Sequence, residues 1–329
     1  MIRSLYFSQD GQLQTNLAKS AFSTALKDRR GLLWVDFEAT QVEEDEPIMR
    51  EVFGFHPLAI DDALAETHVP KLDDWGEYLY IVIHAVIYDE GFSDFLRTQE
   101  LDVFIGKNYI VTHHDDKIAA IEQVWSRLGR DERHLKNGAD HLLYRLVDEV
   151  VTGMMPVIEE LDDEIDRAED QIFEGPTTPT LERIFNLKRA VLHLRRIIGP
   201  QREVLNKLAR DDYGVIDAHE RIYFRDVYDH LVRFYDIAES QRDLIGGALD
   251  TYLSVINNRM NDIMKTLTLI TTLFMPISFV AGFFGMNFFA PVEPGLAPWT
   301  GDIMFILMMA LTIVMPVSMY FLMRRRGWV

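Results

Sequence analysis

Two stretches of this chain carry no charge at all: Thr266 to Val292, 27 residues, and Ile303 to Met323, 21 residues. No other feature limits the possible folds so sharply. Crossing the roughly 30 Å hydrocarbon core of a bilayer takes about 20 apolar residues in a helix, whose backbone groups are all satisfied within the segment. Both runs meet that length. They predict transmembrane helices at about residues 266–286 and 303–323, with an extracytoplasmic loop over 287–302. Arg324, Arg325 and Arg326 follow the second span, and Arg259 and Lys265 precede the first. This excess of positive charge predicts a multi-pass protein of the cell (inner) membrane with both termini cytoplasmic. The N-terminal MIRSLYFSQDGQLQT has no apolar core of a secretory leader,.

The polar remainder narrows the chemistry. Against 33 Lys and Arg stand 52 Asp and Glu, a formal net charge of −19. Nucleic-acid binding needs basic groups that displace counterions, so that partner is excluded. An excess of carboxylates instead attracts hard cations. With no cysteine in the chain, disulfides and thiolate metal sites are also excluded. No P-loop, dinucleotide glycine pattern, GxSxG or HExxH occurs, so neither a nucleotide nor enzymatic catalysis is expected.

Along the chain, the runs at 32–38, 78–88 and 101–113 are dense in β-branched and aromatic residues and read as strands,. The intervening VEEDEPIMREVFG, PLAIDDALA and IAAIEQVWSRLGR read as helices,. Together they predict a cytoplasmic α/β domain over residues 1–137. From 138 to 265 a helical hairpin and stalk is expected, and from 266 to 329 a transmembrane domain. Within the hairpin, one helix is predicted from about Ala139 to Phe173, stopped by Gly175-Pro176,. A second follows from about Pro179 to Ala209, and Pro200 is a candidate kink,. A third helix, from about His219 to Met286, meets no stop except Pro276 and would be about 100 Å long,. A stalk of that length does not stand alone in water. It needs the hairpin, the α/β domain or copies of itself.

Asn261, Met264, Leu267 or Thr268, Thr271, Met275, Ser278 and Gly282 recur at intervals of three or four, on one face of this helix,. A face of small and oxygen-bearing groups can line a pore or pack tightly against another helix. At the end of the span stands Gly285-Met286-Asn287. By itself such a tripeptide is as well explained as a helix cap. Glu293 and Asp302 are the only charges in the following loop, where they would concentrate cations. Residues 140–174 hold 12 acidic and 2 basic side chains. They form either a cation-accumulating surface or merely a solvated acidic face. His113 and His114 adjoin Asp115 and Asp116, but neighbouring residues of a strand point to opposite sides, which argues against a shared metal.

The stretch KTLTLITTLFMPISFVAGFFGMNF, with YFRDVYDHL and GALDTYLSVINNRMNDIMK upstream of it, closely resembles the CorA magnesium transporter family. That resemblance implies an α+β membrane protein assembled as a funnel-shaped homopentamer in the lipid bilayer. It assigns Gly285, Met286 and Asn287 to the selectivity filter and makes the first span the pore wall. It implies Mg2+ as both transported and regulatory ion, with Co2+ and Ni2+ as passengers. Its regulatory metal site would use Asp89 and Asp250, in the segments IYDEG and GALDTYLS. Zn2+ transport by the same architecture is the nearest rival reading. A membrane-anchored cytoplasmic receptor or enzyme is the rival from another class.

Overall fold

The computed structural model describes residues 1–64, 69–91, 95–129, 132–286 and 302–327. It forms two compact units, Met1–Asp250 and Thr251–Val329.

The first unit is built on a seven-stranded sheet in the order β2-β1-β3-β7-β6-β5-β4. Its strands are β1 (Ile2–Phe7), β2 (Leu13–Thr15), β3 (Leu32–Glu38), β4 (Lys71–Asp74), β5 (Leu79–Tyr88), β6 (Leu96–Ile105) and β7 (Tyr109–His114). Neighbours are antiparallel except β3 and β7, which run parallel. The central strands β3 and β5 are almost wholly buried. That explains their unbroken apolar sequences, because a strand covered on both faces needs no polar alternation.

Leu33, Val35 and Phe37 of β3 join a core with α1 (Phe22–Lys27), α3 (Pro57–Leu64) and Ile48 and Met49, which follow α2 (Val42–Pro47). One π-helical turn, Ile48–Val52, follows α2. The alternate residues Trp34 and Asp36 face α4 (Ala119–Leu128), where Trp34 and Trp125 rings lie 4.7 Å apart. A buried network completes that face. Arg3 Nε donates to Asp36 at 2.8 Å, His114 Nε2 meets the same carboxylate at 3.2 Å, and Trp34 Nε1 donates to Thr112 at 3.0 Å. Burial alone would push the Asp36 carboxyl up, but bonds from His114 and Thr112 and the Arg3 charge outweigh it and hold it below its ordinary range,. Burial would likewise lower His114, yet the Asp36 bond and charge raise it above the usual histidine value.

His113 points the other way. Its ring nitrogens lie 3.8 Å from the buried carboxylates of Asp45 and Asp102. The adjacent histidines thus serve opposite faces of β7, as expected for a strand.

Two sequence expectations need correction. The run 101–113 is not one strand but the end of β6, a turn at Gly106-Lys107-Asn108, and β7. Asn108 Nδ2 donates to the Leu26 and Asp28 carbonyls, each at 3.0 Å, and a Cβ on Gly106 would lie 2.3 Å from the Tyr109 ring. Glycine at this close approach therefore marks the turn. The helix expected over 139–173 is two helices, α5 (Ala139–Thr152) and α6 (Met155–Glu174). The break falls at Gly153-Met154, where Gly153 caps α5, and Pro156 sits in the first turn of α6, the position where its missing N–H costs no helical bond,.

The hairpin otherwise forms as expected. Gly175, at φ 154°, ends α6, and Thr177 begins α7 (Thr178–Arg210) with a reciprocal capping box to Thr180,. The helix continues through Pro200 to Arg210. Next comes α8, unbroken from Arg221 to Gly285, about 97 Å at 1.5 Å per residue. Its first half is buried at Phe224, Val227, Leu231, Phe234, Ala238, Gln241, Ile245, Ala248 and Tyr252. This alternating three-four spacing is a heptad seam, the pattern that keeps one edge of a long helix against its neighbours. Gln241 is its single polar member and donates to the Ile158 carbonyl of α6 at 2.9 Å. Arg195 of α7 donates to Tyr235 at 3.0 Å and pairs with Glu239 at 2.5 Å.

In the second unit, α9 (Asp302–Arg325) is apolar through most of its length and ends on Arg324 and Arg325. Among the described residues, α8 and α9 are the two helices long and apolar enough to cross a membrane.

Candidate ion pathway

The C-terminal half of α8 differs from the first half in what it buries. After Tyr252 the seam stops, and Met260, Ile263, Met264 and Leu267 are each more than half exposed, at 55%, 60%, 55% and 56%. All eight residues expected to line a pore lie on this part of α8, and all eight are exposed. At 3.6 residues per turn, Asn261, Met264, Leu267, Thr268, Thr271, Met275, Ser278 and Gly282 fall within an arc of about 120°. The half-buried or buried positions of the same segment, Leu269, Thr272, Leu273, Pro276, Ile277 and Val280, centre about 150° away. One side of the helix is thus packed within the unit, and the remainder is open, with the expected pore residues and the apolar Ile263, Ile270, Phe274 and Phe279 all exposed.

The open side has a definite hydrogen-bonding character. Thr268 Oγ1 donates to the Met264 carbonyl at 2.7 Å, and Thr271 Oγ1 donates to the Leu267 carbonyl at 2.9 Å. Each hydroxyl proton is therefore spent on its own helix, so the outward-facing lone pairs act as acceptors. Acceptors are what the waters around a cation need, because those waters present hydrogens outward. Met264, Leu267 and Met275 interrupt the polar positions with apolar bulk. Gly282 and Gly285 carry no side chain, and an added Cβ would meet nothing within 4 Å at either one. Gly285 ends α8, and Met286, 55% exposed, follows. Asn287 and Glu293, assigned to the filter and the outer vestibule, lie outside the described residues. Asp302 opens α9.

α9 shows no matching stripe. Its partly buried residues are Met308, Thr312, Pro316, Met319, Tyr320 and Met323, mostly one turn apart, and the other residues from Phe305 to Leu322 are exposed and, except for Ser318, apolar. Both spans share a Thr-x-x-x-Pro spacing, Thr272 with Pro276 and Thr312 with Pro316. Each proline denies the threonine carbonyl its usual helical donor, a loss tolerated where neighbouring groups compensate.

The expected regulatory carboxylates lie on different elements of the first unit. Asp89 is half-buried in the turn after β5, where its Oδ1 accepts from Gly91 N at 2.9 Å. Asp250 is exposed on α8, two residues before the end of the heptad seam. Among the described residues, no group of three or more His, Asp or Glu side chains converges to hold a metal ion.

The acidic stretch is not uniformly solvated. Glu164 is buried, 1% exposed, and accepts from Arg183 Nε at 2.9 Å and from Arg167 Nη1. Sequence reading counted it with its exposed neighbours. The signal that separates it is helical phase, since Glu164 shares a face with Leu161 and Ala168, both buried,.

A soluble α/β domain, a helix that runs from it into an apolar segment, and a second apolar helix define a two-span membrane protein of the metal-ion transporter class. The family model described as CorA-like Mg2+ transporter protein matches residues 29–325, and the chain belongs to that family. It is 36% identical over 258 residues to the cobalt/magnesium transport protein CorA of Thermotoga maritima, covering 78% of this chain and 73% of that one. The complete structure of the CorA magnesium transporter from Methanocaldococcus jannaschii superposes with a TM-score of 0.84 at 25% identity, covering 100% of this chain and 99% of that one. The full-length CmaX structure shares the fold at a TM-score of 0.76 and 22% identity, covering 99% and 97%. The chain is thus a divalent-cation transporter of the CorA family.

Proposed function

We propose that this protein is a Mg2+ uptake channel, assembled as a homopentamer in the cell membrane with both termini cytoplasmic, whose pore is the open face of α8. The observation that carries this reading is the asymmetry of α8: a packed side and, opposite it, an exposed stripe of acceptors, glycines and methionines. In the proposed organisation residues 1–137 form the cytoplasmic α/β domain, 138–265 the hairpin and stalk, and 266–329 the membrane domain.

Mg2+ demands octahedral oxygen at about 2.0–2.1 Å and sheds its waters reluctantly, so a conducting path should accept the ion largely hydrated. A ring of Asn287 amide oxygens beside Gly285 and Met286 would accept hydrogen bonds from those waters and select by size and dipole. Glu293 and Asp302 would gather cations at the outer mouth. Below, Thr268 and Thr271 would continue the acceptor path, while Met264, Leu267 and Met275 would close it by dewetting. At about 2.3 kcal/mol per charge per 100 mV, the membrane potential supplies about 4.6 kcal/mol for a divalent ion, so ATP is not needed. Co2+ and Ni2+, hydrated in similar geometry, would follow.

Intracellular Mg2+ would close the channel by bridging Asp89 of one copy to Asp250 of a neighbour. Few carboxylates and many retained waters make such a site weak enough to empty as cytoplasmic Mg2+ falls. The relatives, cobalt/magnesium transport proteins by name, support Mg2+ and Co2+. The test is flux into liposomes with a folded oligomer verified in parallel: Mg2+ entry supports the reading. Zn2+ entry without Mg2+ entry would replace the ion, and no divalent flux would leave the spans as tethers.

A further inference from the structure

A cavity of 770 Å3 opens between the turn after β5 and the tip of the α6–α7 hairpin. Its volume falls in the range of small-molecule sites. One wall is aromatic. The Tyr88 and Phe95 rings stack with centroids 6.0 Å apart and planes 25° from parallel. Phe95 has a φ of 58°, a left-handed conformation unfavourable for a bulky residue, held where its ring meets Tyr88. The Tyr88 hydroxyl is buried without a hydrogen-bond partner.

The charge on the other walls is negative and spread out. Glu90 lies in the turn after β5, Glu174 at the end of α6 and Glu182 in the second turn of α7, all exposed and all lining the cavity. The cavity's Arg183 is committed to Glu164. A metal ion needs its ligands within coordination distance of one point, and among the described residues no three carboxylates converge,. A ligand with separated positive charges and an apolar stretch between them suits these walls instead. Its ammonium groups would meet the glutamates, and its methylenes would lie against the rings, with a cation–π contribution.

From the stacked Tyr88–Phe95 wall and the dispersed Glu90, Glu174 and Glu182 carboxylates, we propose that this cavity binds an extended organic polycation of the linear polyamine class. Because Tyr88 and Glu90 flank Asp89, occupancy would fix the turn that carries Asp89. That link to gating rests on the role proposed above for Asp89, whereas binding itself does not.

The experiment is calorimetric titration of spermidine into the full chain in detergent, at physiological salt with chelator present. The expected result is saturable binding at one molecule per chain, weakened about tenfold or more in the Glu174→Gln/Glu182→Gln variant. Phe95→Gly, which accepts the left-handed backbone without strain, should also weaken binding while circular dichroism shows the fold retained. Asp163→Asn/Asp166→Asn removes equal charge from α6 outside the cavity and should leave affinity unchanged. Absence of saturable binding, equal affinity in the wild type and the two cavity variants, or equal weakening by the Asp163/Asp166 pair would overturn the proposal. So would displacement by Mg2+ or a monoamine at matched charge concentration. None of these outcomes depends on ion flux, so failure here leaves the transport reading intact.

Discussion

The two halves of α8 are one continuous helix with opposite solutions to the same problem. From Phe224 to Tyr252 a heptad seam is buried by the chain's own residues, whereas from Leu253 onward large apolar side chains stand exposed on the single chain. A helix interior costs backbone entropy that its own hydrogen bonds hardly repay, so each half requires a surface to pack on. The first half finds that surface within its chain. The second, in the proposed assembly, finds it in lipid and in other copies. Substitutions in the first half should therefore act on stability, and substitutions in the second half on assembly and conduction.

The largest effect should come from breaking the buried half. Leu231 is 0% exposed, and Leu231→Ala should cost about 2–5 kcal/mol in denaturant unfolding. Met264→Ala, on the exposed half, should change stability by less than about 0.5 kcal/mol but raise the basal flux by widening the apolar constriction. Equal loss of stability at the two positions would erase the contrast.

A comparable loss is expected within the α/β domain. His114→Ala leaves Asp36 buried beside Arg3 with one partner fewer, at a cost of about 3 kcal/mol. The pH dependence follows from the two shifts. Asp36 lies below its unfolded value, so its contribution is present above the ordinary carboxylate range and fades as pH falls through the lowered folded pKa,. His114 lies above its unfolded value, so its contribution is complete below about pH 6.5 and fades as pH rises through the raised folded pKa,. The pair should stabilise the domain most at mildly acidic pH, and the His114→Ala variant should lose that maximum in a series of thermal melts.

A smaller and more local effect sharpens the account of the open face. Replacing Thr268 and Thr271 together by Val keeps shape but removes the outward lone pairs, and should lower Mg2+ flux several-fold. Ser at both positions should restore it. If Val conducts as well as Thr, the hydroxyls serve packing and not the ion. For the proposed regulatory carboxylates, Asp89→Ala/Asp250→Ala should abolish Mg2+ protection of the first unit from protease; undiminished protection would remove both from the proposed sensor.

Much of this contrast was legible in the chain. The charge-free runs, the absence of a stop between His219 and Met286, and the three-or-four spacing from Asn261 to Gly282 all correspond to observed helix and exposure. What was hidden depends on contacts distant in sequence. The turn at Gly106 is set by Asn108 reaching the Leu26 and Asp28 carbonyls, 82 and 80 residues away. The break at Gly153-Met154, just ahead of Pro156, is outweighed in the sequence by strong helical periodicity on both sides. Glu164 looks like any acid in an acidic run except in its helical phase, and its arginine partners, one of them on α7, are visible only in the fold. Of the candidate site, the stripe on α8 was readable from spacing. The filter and sensor roles came from resemblance, because the ring geometry they require is made by several copies.

The central claim, that the open face of α8 and Asn287 at its outer end conduct hydrated Mg2+, is tested most directly by Mg2+ entry into liposomes. The wild-type chain should be compared with Asn287→Ala, with oligomer size measured on both. The account predicts rapid potential-driven Mg2+ entry for the wild type and near-complete loss for the variant at unchanged oligomer size. Undiminished entry through Asn287→Ala, or none through the assembled wild type, would contradict it.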